Sequence, residues 1–465
     1  MRNLSTADAD EAFLGHPLGL GWLSSAEFWE RFSYYGMQSL LVLYMTHQLL
    51  QPGHIEHVAG FAMFRHAVEV IYGPLTPQAL ASIIFGLYAG LVFVTPIGGG
   101  FLADRVLGRT RTVVIGALLM AAGHFLMTFE ASFLPALVCI LLGAGCFKGN
   151  IAAQVGELYP RGDPRAANGF QIYFVAISLA IIVAPLICGT LGERYGYHWG
   201  FGAAGIGMLV GLAIYLRGRR WLPSELVAGR AADRRPRRAL APDEKKKLLV
   251  MLALLPLFGV AQVTNYQVYN AYIVWAEASY RLQVFGMTMP VTWLFSFGSI
   301  ISVLTIIGSV IFWRWWAKRR IEPNEITKMT MSTLILALGP LVPAFGSYMV
   351  ATTGHRIGLG WAVLFELIND IGYANFLPVG LALYSRVAPE SLSGMMTGAY
   401  YLHLFAANML AGWLGSFMER MPGSHFWLLH AAVVFGAALM LLLLRGTVSR
   451  LLVPASAASA EYRQP

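Results

Sequence analysis

Apolar residues in this 465-residue chain come in runs too long for the helices of a soluble core. A run of about 20 apolar residues is what a helix needs to cross the hydrocarbon of a bilayer. We read twelve such spans, at 22–48, 79–103, 110–130, 133–158, 167–190, 199–217, 247–277, 289–316, 327–351, 358–387, 394–418 and 425–447. The runs suit helices rather than barrel strands, because each backbone polar group in lipid needs a partner within the span. Two breaks in the pattern are long. Residues 49–78, with His54, His57 and His66, read as a solvated external loop holding a short helix. The stretch 217–247 is basic and contains prolines, and it is too short and too charged for two further spans.

These breaks predict an order of parts. A tail over 1–21 precedes a six-helix bundle over 22–217; a basic linker over 218–246 leads to a second six-helix bundle over 247–447, and a tail over 448–465 follows. Residues 1–20 are polar and acidic and do not read as a cleavable signal peptide. Loops on the linker's side hold roughly 22 Lys and Arg against about 5 on the other, which predicts that both termini are cytoplasmic. Prolines inside spans, at 96, 185, 256, 340, 343 and 378, suit helices that bend.

Composition agrees with a membrane protein. The chain is 57% apolar and 12% charged, with a mean hydropathy of +0.60, where a soluble domain is nearer one quarter charged. Net charge is +9, but the basic residues cluster in loops, a pattern of bilayer orientation rather than of nucleic-acid binding. Cys139, Cys146 and Cys188 lie in apolar segments without a CxxC or Cys/His cluster, so neither a disulfide framework nor a metal site is expected. No nucleophile–base pair or phosphate loop stands out, and an enzyme is not expected.

The first span raises the chemical question. Within AEFWERFSYYGMQ (26–38), Glu27, Glu30, Arg31, Tyr34 and Gln38 follow i, i+3, i+4, i+7 and i+11, and so share one helical face. A charge at the bilayer centre costs on the order of 2.5–3.5 kcal/mol on insertion scales, so this face must line a cavity or a polar contact. Lys148, in GAGCFKGN of the fourth span, has no partner within its own helix; Glu27 or Glu30 is the expected one. Such a group is read either as a static network joining helices or as part of an ion or substrate path. If its pairing changes, it takes up and releases a proton.

GGGFLADRVLGRTR (98–111) resembles the loop between the second and third spans of the major facilitator superfamily. In it Gly100 is expected to permit close helix approach, and Asp104 to pair with Arg105, Arg109 or a helix N-terminus. The motif Glu27-x-x-Glu30-Arg31-Phe32-x-Tyr34-Tyr35-Gly36 resembles the signature of the proton-dependent oligopeptide transporter family. SIIFGLYAGLVFVTPIGGGFLADR (82–105), Gly-x-Gly-x-x-Lys-x-Asn (143–150), PVGLALYSRVAP (378–389) and GAYYLHLFAANMLAGWL (398–414) extend the likeness over nearly the whole chain.

The resemblance implies an all-α membrane protein of the major facilitator fold, twelve transmembrane helices in two six-helix bundles. It implies proton coupling through Glu27, Glu30, Arg31 and Lys148. For the substrate pocket the expected residues are Tyr34, Tyr35, Gln38, Tyr88, Asn150, Ser178, Tyr266, Gln267, Asp370, Tyr373 and Asn408. Gly100, Asp104, Arg105 and Arg109 are assigned to a gating loop. The implied activity is import of di- and tripeptides with protons, by alternating access. No cofactor is expected beyond the proton gradient; the partners are a small peptide, protons and the lipid bilayer, in a monomer of the plasma (inner) membrane.

Several positions depart from the family pattern. Tyr373 stands where the family has a span-ten glutamate that receives the peptide amino group, and Gln38 where it has an arginine for the carboxylate. Tyr266-Gln267-Val268 replaces Phe-Glu-Gln in span seven, Ser178 replaces an asparagine, and Phe174 replaces a tyrosine, with Tyr173 beside it. Glu366, Asn369, Asp370 and Tyr373 share a face of span ten, where Asp370 either supplies the missing carboxylate or sits hydrated near the membrane edge. Gln262, Asn265, Tyr266, Gln267, Tyr269 and Asn270 form a neutral polar band expected to line the cavity. The departures leave a second reading open: a proton-coupled transporter of a non-peptide solute, or of peptides with modified termini. A receptor or scaffold without transport would have no need of Glu30 or Lys148.

Overall fold

A computed structural model describes residues 12–160, 162–223, 241–284, 286–389 and 392–452. Most of the expected linker and the outer parts of both tails lie outside the described residues. Every expected span is helical, though several are broken. Among the described residues seven helices are long and apolar enough to cross a membrane, and the pair Pro242–Ala261 and Val263–Ser279, bent by 51°, passes the same test when taken together. The expected first, third, tenth and eleventh spans are helical as well, but they are shorter or carry more polar side chains. The first owes this to Glu27, Glu30 and Arg31.

Contacts divide the chain into two units. One comprises Met1–Pro77, Leu91–Arg234 and Met289–Ser299. Its helices are α1 (Leu18–Tyr44), α2 (Phe61–Tyr72), the end of α3 (Pro77–Leu91), α4 (Thr95–Leu102), α5 (Arg109–Leu126), α6 (Phe133–Glu157), α7 (Arg165–Ala184), α8 (Thr190–Tyr195) and α9 (Tyr197–Gly218). The other comprises Gln78–Gly90, Arg235–Thr288 and Ile300–Pro465. It holds most of α3, then α10 (Pro242–Ala261), α11 (Val263–Gln267), α12 (Ile273–Ser279) and most of α13 (Trp293–Ala317). It continues through α14 (Glu325–Leu338), α15 (Leu341–Thr353), α16 (Gly360–Val387), α17 (Ser393–Tyr400), α18 (Leu402–Gly415) and α19 (Gly423–Leu452). A two-stranded antiparallel hairpin, β1 (Gln283–Val284) with β2 (Met287–Thr288), precedes α13.

The first unit packs around Leu23, Met120, Phe147, Ile151, Tyr173 and Met208. Lipid offers apolar side chains no advantage over each other, so helices in a membrane join through small residues that let backbones approach. A Cβ on Gly99 would land on the Gly145 carbonyl, so α4 meets α6 backbone to backbone. This corrects the expectation for Gly100, around which a Cβ would meet nothing within 4 Å. Gly108, at φ +79°, ends the π-helical turn of Ala103–Leu107 and starts α5 in a conformation that favours glycine. The start of α13 is held in the same unit: the Glu193 carboxylate accepts from the backbone N–H of Val291 and Thr292 at 2.8 and 2.9 Å and from the Thr292 hydroxyl at 2.6 Å. The Trp293 indole donates to Thr190 Oγ1 at 2.8 Å.

The second unit packs around Met251, Phe258, Phe376, Tyr384, Tyr400 and Leu441. Here α3 meets α18 at a glycine pair, Gly86 against Gly412, where a Cβ on Gly86 would lie 2.7 Å from the Gly412 Cα. The loop of 49–78 holds the expected short helix, α2, and His54 Nδ1 lies 2.7 Å from Glu130 Oε1.

The contrast between neighbouring glycines is testable. Gly99→Ala should give little monodisperse protein on size-exclusion chromatography in detergent, whereas Gly100→Ala should elute as the unsubstituted chain does.

Candidate functional site

The expected polar face of α1 is formed, and it is buried. Glu27 is 1% and Glu30 0% exposed. Arg31 Nε donates to Glu27 Oε1 at 2.7 Å, one turn away, and lies 2.9 Å from Glu30 Oε2. Among the described residues, Glu27 Oε2 and both Glu30 oxygens receive no hydrogen bond. On α6, Lys148 Nζ lies 3.7 Å from the centroid of the Tyr34 ring. The expected pairing of Lys148 with Glu27 or Glu30 is therefore corrected. Arg31 takes both carboxylates because it is on the same helix and orders few additional bonds to reach them. The ammonium instead rests on the negative face of an aromatic ring, an attraction that strengthens where water is excluded. Tyr35 stands edge-on to Tyr34 with centroids 5.1 Å apart. Gln38 is buried, and its Oε1 has no partner.

With both carboxyls ionised, the four charges of this group cancel. A proton on either carboxyl leaves it with one positive charge. That charge is offset by an anionic group arriving from outside, or removed when the proton leaves. The arrangement can thus link a proton to an anionic group of a solute.

Other positions in the first unit serve packing. The Asn150 amide donates to the Cys146 carbonyl at 2.8 Å and to the Gly99 carbonyl at 3.4 Å, which holds α6 against α4 rather than facing a pocket. Ser178 is half-buried and donates to the Phe174 carbonyl at 3.0 Å. In the loop expected to gate, Arg109 lies 3.6 Å from Asp104 and also pairs with Glu157, and the Arg105 guanidinium lies over the Phe101 ring at 5.2 Å.

In the second unit Asn265, Tyr266 and Tyr269 of the neutral band of span seven are half-buried, whereas Gln262, Gln267 and Asn270 are packed rather than lining a cavity. Gln262, Gln267 and Asn270 are each 0% exposed. Gln267 Nε2 donates to the Ala411 carbonyl at 2.9 Å and meets His430 Nε2 at 2.8 Å, while its Oε1 accepts from the Ala271 N–H at 3.3 Å. The reason is local: a helix that breaks at Asn270 leaves backbone groups without helical partners, and the amides satisfy them. Asn408 is likewise buried, donating to the Leu404 carbonyl at 2.8 Å. Tyr88 is 4% exposed, and Tyr266 is half-buried against the cluster of Val263, Leu336 and Leu414.

The acids of α16 stay in play. Glu366 and Asp370 are each 6% exposed and one turn apart, which corrects the alternative of a hydrated position at the membrane edge. Asp370 Oδ2 has no hydrogen bond, Ser302 stands beside the carboxyl, and no cation pairs with either acid among the described residues. Asn369 Nδ2 donates to Asn265 Oδ1 at 2.8 Å, and Tyr373 is half-buried. The reading of the sequence missed three histidines, His124, His403 and His430, all 0% exposed. Each sits among apolar residues with no spacing to mark it, His430 five residues after His425 in α19.

Residues 110–234 match the family model described as PTR2, the POT family. The peptide transporter YePEPT of Yersinia enterocolitica is 28% identical, over 96% of this chain and 97% of its own length. A di-/tripeptide transporter of Lactococcus lactis subsp. lactis is also 28% identical, over 97% of this chain and 99% of its own. Among solved structures, a mutant of peptide transporter POT in complex with alafosfalin superposes with a TM-score of 0.80 at 25% identity, covering 96% of this chain and 98% of that one.

The contact of Lys148 with Tyr34 gives a direct test. Tyr34→Phe keeps the ring face and should leave the apparent Tm in detergent unchanged. Tyr34→Leu removes it and should lower the Tm by a few degrees, for an interaction of about 2 kcal/mol when desolvated.

Proposed function

We propose that this chain is a member of the POT family and a proton-coupled symporter importing di- and tripeptides by alternating access, a reading supported by its apolar spans and by the peptide transporters it resembles. One observation carries the reading: two buried carboxyls share Arg31, while Lys148 rests on Tyr34 and, among the described residues, pairs with no carboxylate. Protonation at Glu27 or Glu30 loosens Arg31 and leaves positive charge in a buried place. The carboxylate end of a peptide offsets that charge, so proton and peptide favour each other's entry. The names of the relatives support transport rather than catalysis.

Tyr34, Tyr35 and Gln38 are the candidates for solute contact in the first unit. In the second, Asp370 receives the peptide ammonium: it is a buried acid lacking a cation, and a cationic group satisfies it. Tyr373 stands one turn along and completes that face. The proton gradient supplies the energy, and no cofactor takes part. The protein acts as a monomer in the inner membrane with both termini cytoplasmic, a placement supported by the Lys and Arg asymmetry of the loops.

A second reading, a solute with modified or missing termini, draws support from the neutral Gln38 and from the engagement of Gln267 in packing. Reconstitution in liposomes with an inward proton gradient separates the two. Accumulation of dialanine or trialanine should be driven by the gradient and vanish in Glu30→Gln and Lys148→Ala; gradient-driven movement of other solutes without peptide uptake would favour the second reading, and binding without flux would sink both.

Asp370→Asn tests the ammonium role. Peptide affinity should fall at least tenfold while the response of uptake to the proton gradient persists. Equal loss of both would assign Asp370 to proton handling instead.

A further inference from the structure

The bent span 242–279 departs from helical geometry twice, at Gln262 between α10 and α11, and at Asn270 between α11 and α12. At the second break Asn270 adopts φ −118° and ψ −111°. Around it four groups fix one another. The Ala411 carbonyl on α18 can only accept, so it meets the amide nitrogen of Gln267, at 2.9 Å, and that of Asn270, at 3.2 Å. The Ala271 N–H can only donate, so it meets the Gln267 oxygen, at 3.3 Å. The orientation of the Gln267 amide is thus determined twice over.

The second amide hydrogen of Gln267 points at His430 Nε2, 2.8 Å away. On its other side, His430 Nδ1 lies 2.9 Å from the Phe426 carbonyl, which can only accept. The proton of the neutral ring is therefore on Nδ1, and Nε2 is the acceptor. A second proton on the ring would set N–H against N–H. The Gln267 amide would then have to turn over, and would lose both Ala411 and Ala271. The ring's other neighbours are Phe426 and Trp427, with centroids 4.5 and 5.4 Å away. Among the described residues no charged side chain from α10, α11, α14, α15 or α18 stands against it. Beyond this shell lie Tyr272, edge-on to Trp427 at 6.0 Å, and Glu366, whose charge acts on Tyr272.

We propose that His430 is a positioning residue that holds the break at Asn270 closed through Gln267, and that a proton on His430 and the closed break exclude each other. Opening of the break admits water to the ring and lets it charge; closing expels the proton. The inference does not depend on the identity of the solute.

Hydrogen–deuterium exchange of the full chain in detergent, without substrate, reads it over residues 263–279. After correction for intrinsic rates, exchange around Ala271 should rise on the order of tenfold as pH falls from 8 to 5. In His430→Gln, whose amide oxygen still accepts from Gln267 but does not titrate, the segment should stay protected at both pH values. In His430→Leu it should exchange on the order of tenfold faster at pH 8 as well. An identical pH response in His430→Gln and the unsubstituted chain would overturn the proposal, as would full protection in His430→Leu. If His430→Leu does not fold, the comparison with His430→Gln decides alone. None of these outcomes bears on peptide transport, which the liposome assay tests separately.

Discussion

Two buried carboxyls and two half-buried cationic groups sit on α1 and α6, and the rest of the candidate site depends on their charges cancelling. Removing one partner from such a group strands a charge, which costs several kcal/mol. The same penalty makes the group responsive. A proton changes the total by one, and the low dielectric turns that unit into a force on whatever carries the opposite charge. Arg31 holds the balance because it touches both acids. Lys148, resting on an aromatic ring, has a weaker hold and is the cation freer to move.

The surrounding architecture covers the two carboxyls by bringing backbones together. Gly99 on Gly145, Gly116 on Gly143 and Gly36 on Cys188 close the helices of the first unit around α1 and α6. In the second unit Gly372 meets Leu336, and Gly259 meets Ala406. These contacts explain how helices with polar faces remain stable in lipid: the polar faces turn inward and the glycines let their neighbours cover them. Buried amides such as Asn150 and Gln267 complete the seal by taking up carbonyl and N–H groups that the helices leave open.

The fold was legible because hydropathy records it directly: a run of about 20 apolar residues has few other uses. The face of α1 was legible for the same reason, since charge inside such a run is costly and its spacing shows on one helix. Partners were harder. Spacing says that Glu27 and Arg31 are neighbours, but whether Lys148 meets an acid or an aromatic ring depends on the angle and depth of a second helix. The motif contains both Gly99 and Gly100, and only packing distinguishes them. The polar band of span seven was expected to face a cavity because amides avoid lipid; the same fact permits packing against a broken helix, and that is where Gln267 lies. His430 left no trace in the pattern, since one histidine among apolar residues has no period.

Under the proposed function and the proposed role of His430, the two units answer a proton by different physics. In the first, charge is already present and a proton alters its sum, so the response is electrostatic and acts on an anionic group. In the second, the network around His430 is neutral, and a proton there conflicts with a hydrogen bond, so the response is a change of backbone shape. Neither mechanism requires a wire between the sites. If both favour the same global state, their free energies add, and each biases the occupancy of the other. A transporter needs solute, proton and shape to be linked, and a chain holding one electrostatic element and one geometric element has the means to link all three without placing them in contact.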